Sequence, residues 1–274
     1  MTDRSIQSRI TVRTLQRWAQ AGTPFAMITC YDATTALHLA RADVPCLLVG
    51  DTAAQMILGH DSTLPAPLDF MLHITAAVRR GAPLAFVMAD MPFGSYQCGD
   101  DEAMRHAVRF IAEAGADAVK LEVDASFGPL VSRMASAGIP VVAHVGSRPQ
   151  QVRAKGGYRA EGRTQAEAAK IIDLASRMVD HGAAMLLVEA VPAGVSRRIV
   201  EAVNVPVIGC GAGPACPGHV IVLHDLLGLT DWHPPFAPPL TDLGRRIEAA
   251  AGQWVQLVAS GKYLRDDHPY HFDS

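Results

Sequence analysis

The sequence predicts a single (β/α)8 TIM barrel with an extra N-terminal helix and a C-terminal helical tail, one domain spanning 1–274. Three observations carry this expectation. Six short apolar runs each end on an acid or a histidine: Phe25–Cys30 then Asp32, Cys46–Gly50 then Asp51, Leu84–Ala89 then Asp90, Ala118–Leu121 then Glu122, Val141–Ala143 then His144, and Met185–Val188 then Glu189. Polar residues at the carboxyl ends of successive buried strands are the layout of an active site on a parallel α/β barrel. Segments of helical period separate the runs, and strand–helix–strand repeated this often means parallel pairing with right-handed crossovers. Prolines 45, 83, 140 and 206 stand at or just before four of the runs, where a missing N–H costs no ladder bond.

In chain order, Thr11 caps a first helix that carries Leu15 and Trp18 on one face and stops at Gly22. Strands are expected at 25–30 (β1), 45–50 (β2), 84–89 (β3), 117–122 (β4), 140–144 (β5), 184–189 (β6) and 205–209 (β7). The eighth, at 219–223, ends at His224–Asp225. Helices are expected over Ala33–Ala42, Leu68–Arg80, Asp101–Ala114, Phe127–Ala137, Thr164–His181 and Ser196–Ala202. Gly81, Gly115, Gly138 and Gly182 fall where helix C-terminal caps belong. The proline-rich stretch Trp232–Pro239 reads as a surface loop leading to a last helix, Leu243–Ala259. An open doubly wound sheet is the competing arrangement and would bind ligands at a switch point instead.

Composition narrows the function classes. Apolar residues are 49% and charged ones 19% of 274, enough for a large core and too apolar for disorder. A formal charge of −3 without a long basic run argues against nucleic acid. No apolar stretch reaches the roughly 20 residues of a membrane span. The segment Met1–Ala21 lacks the apolar centre of a secretory signal. Five dispersed cysteines without a Cys-x-x-Cys pair fit reduced thiols in the cytoplasm.

In a barrel, Asp51, Asp90 and Glu122 project from neighbouring strands 2, 3 and 4. Two carboxylates about 4 Å apart repel by roughly 4 kcal/mol at an effective dielectric near 20. Three together need a cation or shared protons, and Mg2+ is the default hard ion for an all-oxygen set. Each acid taken singly has a plainer reading as a helix cap or the partner of an arginine. Lys120 shares its strand face with Glu122 and must meet a carboxylate, either from the protein or from a substrate. Thr52 offers a hydroxyl and an N–H to a substrate oxygen, or simply caps a turn. Glu189 ends the most apolar strand, where desolvation raises a carboxyl toward the range of a general base; the alternative is a pair with Arg197 or Arg198. His144 either polarises a substrate oxygen or hydrogen-bonds the metal's ligands.

Two glycine-containing stretches look like phosphate loops. Gly209-Cys210-Gly211-Ala212-Gly213 lacks the Gly-Lys-Ser/Thr ending, and its glycines are better explained by close backbone approach. Gly156-Gly157-Tyr158-Arg159-Ala160-Glu161-Gly162-Arg163 reads as a lid, its arginines suited to an anionic ligand or to a partner subunit.

Together the motifs resemble one family. Val49-Gly50-Asp51, Gly59-His60-Asp61-Ser62-Thr63-Leu64-Pro65, the stretch Thr75–Pro83, and Asp90-Met91-Pro92-Phe93-Gly94-Ser95-Tyr96 are similar to ketopantoate hydroxymethyltransferases. So are Val119-Lys120-Leu121-Glu122, Gly156–Arg163, Leu187-Val188-Glu189, Pro206–Gly213 and His224-Asp225-Leu226-Leu227-Gly228, in the right order over nearly the whole chain. The resemblance implies a barrel assembled as a homodecamer that binds Mg2+ and acts in pantothenate biosynthesis. It implies that Asp51, Asp90 and Glu122 surround the metal, directly or through water. Thr52, Asp90 and Lys120 then help to hold a chelating α-keto acid, 3-methyl-2-oxobutanoate. Glu189 is implied as the base at C3, and 5,10-methylenetetrahydrofolate as the one-carbon donor, giving 2-dehydropantoate.

The chain departs from the family pattern at the mouth. Thr52-Ala53-Ala54-Gln55 stands for Ser-Leu-Gly-Met, with Ala54 where a glycine would allow positive φ and Gln55 where an apolar residue faces the pocket. A different α-keto acid or a free aldehyde is therefore a second reading, as is a non-catalytic keto-acid binder. A lyase of the phosphoenolpyruvate mutase and isocitrate lyase group would need a Lys-Lys/Arg-Cys-Gly-His loop that the sequence lacks.

Overall fold

The computed structural model describes residues 8–263, so residues 1–7 of the segment read as lacking a secretory signal, and 264–274 of the expected domain, lie outside the described residues. Eight parallel strands close on one another in sequence order, β1 pairing with both β2 and β8. They are β1 Phe25–Thr29, β2 Cys46–Val49, β3 Phe86–Asp90, β4 Ala118–Glu122, β5 Val141–Gly146, β6 Met185–Glu189, β7 Val207–Cys210 and β8 Gly218–Ile221. A closed barrel excludes the open sheet. The chain divides into two compact units, 1–221 and 222–274.

Strand alternation sorts the first unit into two cores. Cys46, Leu48, Phe86, Met88, Ala118, Val142, Met185, Leu187 and Ile208 fill the barrel interior. Leu47, Val49, Val87, Val119, Leu121, Val141, Leu186 and Val188 face outward against the helices. Helix α1 (Val12–Gln20) opens with a Thr11/Thr14 capping box, and its Leu15 is fully buried in the interior cluster. Trp18 packs against Phe25 at 6.2 Å between ring centroids, so α1 closes the amino end of the barrel. Polar chemistry is left to the carboxyl end.

The surrounding helices are α2 Ala33–Arg41, α3 Ala53–Met56, α4 Leu68–Gly81, α5 Asp100–Ala112, α6 Gly128–Ser136, α7 Val152–Lys155, α8 Gln165–Asp180 and α9 Ala193–Ala202. Thr164 caps α8 with a second capping box through Glu167. Gly115, Gly138 and Gly182 take positive φ after α5, α6 and α8, as expected of caps. Gly81 does not: it is the last residue of α4, and a Cβ there would lie 2.2 Å from the Ala33 carbonyl oxygen. Its role is close approach of α4 to α2. Gly213 also serves packing, since a Cβ would meet that of Ala193 at 2.5 Å, in keeping with the close-approach reading of that loop.

Several boundaries differ from expectation. β3 starts at Phe86, three residues after Pro83, with Leu84 exposed in the preceding loop. α9 starts three residues before Ser196. β8 ends at Ile221, and His224 and Asp225 lie instead on a short helix, α10 Leu223–Leu226. In the second unit, Trp232–Pro239 is irregular and precedes α11 (Leu243–Ala259), which buries none of its residues. No helix among the described residues is long and apolar enough to cross a membrane.

Candidate active site

Alternation along the strands aims Asp90 of β3, Lys120 and Glu122 of β4, His144 of β5 and Glu189 of β6 into the carboxyl-end mouth, with Asp51 joining from the turn after β2. Asp51, Asp90, Lys120, Glu122 and His144 are all buried, while the Glu189 side chain keeps 24% exposure. Asp32 is not among them. Its carboxylate accepts the Thr35 N–H at 2.8 Å and caps α2.

Lys120 is the hub. Its Nζ lies 3.1 Å from Asp90 Oδ1 and 3.2 Å from His144 Nδ1. An ammonium has only protons to offer, so His144 Nδ1 is the acceptor and its N–H sits on Nε2. That Nε2 has no hydrogen-bond partner and faces Glu189 Oε2 at 3.6 Å. Burial first, then the nearby charges of Lys120 and Arg148, hold the His144 pKa well below that of ordinary histidine, so the ring is neutral. Burial works against the Lys120 ammonium, but Asp90, Asp51 and Glu122 outweigh it and raise its pKa.

The carboxylates are strained electrostatically. Burial and then the charge of Asp90 push Asp51 up to about 7, opposed by Lys120 and a Gln150 hydrogen bond. Burial raises Glu122 well above an ordinary glutamate. Glu189 reaches about 7, mainly through burial, while Lys120 and a hydrogen bond from Cys210 pull it down. Cys210 is the register partner of Glu189 on β7. Among the described residues Glu189 makes no ion pair with Arg197 or Arg198; its charged-type neighbour is His144.

Gln150, which the sequence did not single out as a site residue, ties the acids together. Its Nε2 donates to Asp51 Oδ2 at 2.9 Å and to the Met91 carbonyl at 3.0 Å, and its backbone N–H donates to Glu122 Oε2 at 3.0 Å. Its Oε1 accepts from Tyr96 OH at 2.7 Å, while that hydroxyl accepts the Glu122 N–H at 3.1 Å. Every amide atom of Gln150 is used. Thr52 Oγ1 lies 2.6 Å from Tyr31 OH, so its hydroxyl is already shared within the protein. Ala54 is buried inside α3, a right-handed helical setting that needs no glycine, and Gln55 donates to the Asp61 carbonyl at 3.3 Å. The substituted 52–55 stretch is thus accommodated without positive φ.

The donor set suits a hard divalent cation. Four carboxylates face one ammonium and a neutral imidazole, and all candidate ligands are oxygens on adjacent strands. Asp90 Oδ1 is buried and faces the Lys120 ammonium at 3.1 Å, and the Asp51 N–H donates to Asp90 Oδ2 at 3.0 Å, which fixes the two acids side by side. Among the described residues no three His, Cys, Asp or Glu side chains cluster tightly enough to hold an ion unaided. Water or substrate oxygens would complete its sphere, as Mg2+ normally requires.

Residues 9–266 match the family described as ketopantoate hydroxymethyltransferase. The 3-methyl-2-oxobutanoate hydroxymethyltransferase of Carboxydothermus hydrogenoformans is 41% identical over 263 residues, covering 96% of this chain and 95% of that protein. Its counterpart in Moorella thermoacetica is 42% identical over 265 residues, with 96% and 98% covered, and that of Pyrobaculum aerophilum 43% over 245, with 89% and 93% covered. Among solved structures, 2,3-dimethylmalate lyase, a member of the PEP mutase/isocitrate lyase superfamily, superposes with a TM-score of 0.62 at 16% identity, covering 95% of this chain and 92% of that one. Phosphonopyruvate hydrolase in complex with oxalate and Mg2+ gives 0.61 at 13%, with 95% and 92% covered. At these identities the structures share the fold. The sequence matches, which run nearly end to end, go further: the chain belongs to the ketopantoate hydroxymethyltransferase family.

Proposed function

We propose that the protein transfers a hydroxymethyl group from 5,10-methylenetetrahydrofolate to 3-methyl-2-oxobutanoate, forming 2-dehydropantoate and tetrahydrofolate. The observation that carries this reading is the convergence of Glu189, Lys120 and three further carboxylates at one barrel mouth in a chain of this family. Asp51, Asp90 and Glu122 would hold Mg2+, directly or through water. When bound, that ion supplies Lewis-acid polarisation of the keto oxygen.

The remaining roles belong to the chain's own side chains. The Lys120 ammonium attracts the substrate carboxylate and limits repulsion from the surrounding acids. Glu189, with a pKa raised to about 7, is suited to take the C3 proton near neutral pH. The electron pair of the broken C3–H bond then forms the new C3–CH2 bond, both carbon–nitrogen bonds that join the methylene to the folate break, water supplies the hydroxyl oxygen, and the two freed nitrogens take up the C3 proton and one proton of that water. Neutral His144, with its N–H on the Glu189 side, favours the charged form of that base without competing for the proton. We also propose that the protein acts as a cytoplasmic homodecamer in pantothenate biosynthesis.

The test is product formation by the purified protein with Mg2+, 3-methyl-2-oxobutanoate and either the folate donor or free formaldehyde. 2-Dehydropantoate from the folate donor is the expected result. Turnover of formaldehyde alone would make the protein an aldolase, and no product from either would overturn the reading.

A further inference from the structure

The strand that carries the proposed base ends in a backbone conformation that its sequence does not favour. Ala190, the residue after Glu189, has φ 48°. Among the described residues Asp43 is the other non-glycine residue with positive φ, and it lies between α2 and β2, at the far end of the barrel. A left-handed residue other than glycine costs free energy and persists only where its surroundings over-determine it, as they do at functional sites.

Three backbone hydrogen bonds hold the chain here. The Ser147 N–H, at the end of β5, donates to the Glu189 carbonyl at 2.9 Å, and the Ala190 N–H donates to the Cys210 carbonyl of β7 at 2.8 Å. Gly146 makes the first approach feasible, since a Cβ there would lie 2.4 Å from the Glu189 carbonyl oxygen. The third bond does not come from the barrel. The Glu161 N–H, in the lid stretch 156–163, donates to the Ala190 carbonyl at 3.0 Å. That stretch lies over the mouth: burial and then the charge of Asp51 raise the pKa of its Tyr158, with Glu122 and Glu189 adding to the effect. The lid is therefore bonded to the peptide next to the base.

We propose that Glu161 and Ala190 are positioning residues that couple the lid to Glu189. The lid's N–H holds the left-handed turn at Ala190, and the turn keeps the Glu189 carboxylate beside His144 Nε2, 3.6 Å away, and aimed at the substrate's C3. With the lid raised, Ala190 relaxes to an ordinary conformation and the end of β6 turns the carboxylate aside. Proton removal then waits until the lid has excluded water. This coupling rests on the role given to Glu189 above.

The test is exchange of the C3 hydrogen of 3-methyl-2-oxobutanoate with solvent deuterium by the whole protein with Mg2+, read as a saturated rate and a KM. Glu161→Pro removes the N–H, whereas Glu161→Ala keeps it and removes only the carboxylate paired with Lys155. At saturation the proline variant should exchange about tenfold more slowly than the alanine variant, with KM values within about threefold, because misaiming a reacting group slows the step without loosening the keto acid. At position 190, asparagine tolerates left-handed backbone and valine does not, so Ala190→Asn should exchange about tenfold faster than Ala190→Val. Thermal unfolding of all four confirms that folded protein is compared, and if one variant does not fold the other pair decides. Equal saturated rates within a pair, or a difference confined to KM or to Tm, would overturn the coupling while leaving Glu189 as the base. No exchange by the wild type, or wild-type exchange in Glu189→Gln, would overturn the role of Glu189 and the coupling with it.

Discussion

Replacing Lys120 with methionine keeps most of the side-chain volume and removes the one buried ammonium in the site. Nζ lies 3.1 Å from Asp90 Oδ1, with both side chains about 5% exposed or less. At an effective dielectric of 20 that contact amounts to about 5 kcal/mol of attraction, and removing one partner of a buried pair typically costs about 3–5 kcal/mol. Lys120 is also the leading influence holding down the pKa values of Asp51, Glu122 and Glu189. Without it, these acids bind protons to a still higher pH. The native variant then keeps its protons where the unfolded chain has released them, so its stability falls as pH rises. Urea unfolding with a chelator present, at about pH 5 and about pH 8, reads both effects. Lys120→Met should be destabilised by about 3–5 kcal/mol at the higher pH and by clearly less at the lower. A loss under about 1 kcal/mol, the same at both pH values, would refute the placement of Lys120 at the centre of the cluster.

Three further outcomes follow from the same geometry. Glu189 has a folded-state pKa raised from about 4.5 to about 7, so its contribution is full below the unfolded value and lost as pH climbs through 7. Without metal, the wild type should lose up to about 3 kcal/mol more than Glu189→Gln between about pH 4 and about pH 8; parallel unfolding curves would contradict this. Gln150→Leu removes the side-chain donor to Asp51 Oδ2 and the Met91 carbonyl, and should cost about 2 kcal/mol or more of stability and weaken Mg2+ binding measured by calorimetry. Cys210→Ala removes a donor that lowers the Glu189 pKa, so the acidic limb of the kcat/KM profile should move to higher pH by about half a unit; an unmoved limb would separate the thiol from the base.

Much of this site was legible in the sequence because it lies on strands. Alternation alone puts Lys120 and Glu122 on one face; His144, the register partner of Glu122, lies two residues inside the end of β5, and Glu189 ends β6. Gln150 was hidden because it sits on a short 3-10 turn, Pro149–Gln151, where no periodicity links it to His144. Tyr96 lay in a motif already noted, yet nothing local indicates that its hydroxyl reaches the backbone and amide around Glu122 and Gln150. The eighth strand was extended too far because Val220–Leu223 is apolar throughout, and a short apolar run does not separate a strand end from a following helical turn. Asp32 follows its strand as the acids of the candidate site follow theirs, but Thr35 three residues on makes it a helix cap.

Glu189 as the group that accepts the C3 proton is open to one direct measurement: deuterium uptake from solvent at C3 of 3-methyl-2-oxobutanoate, followed by NMR with Mg2+ and no one-carbon donor. The wild type should exchange that hydrogen, and Glu189→Gln should slow the exchange by at least about a hundredfold. Wild-type exchange in Glu189→Gln would place the base elsewhere and remove the chemistry assigned to this mouth.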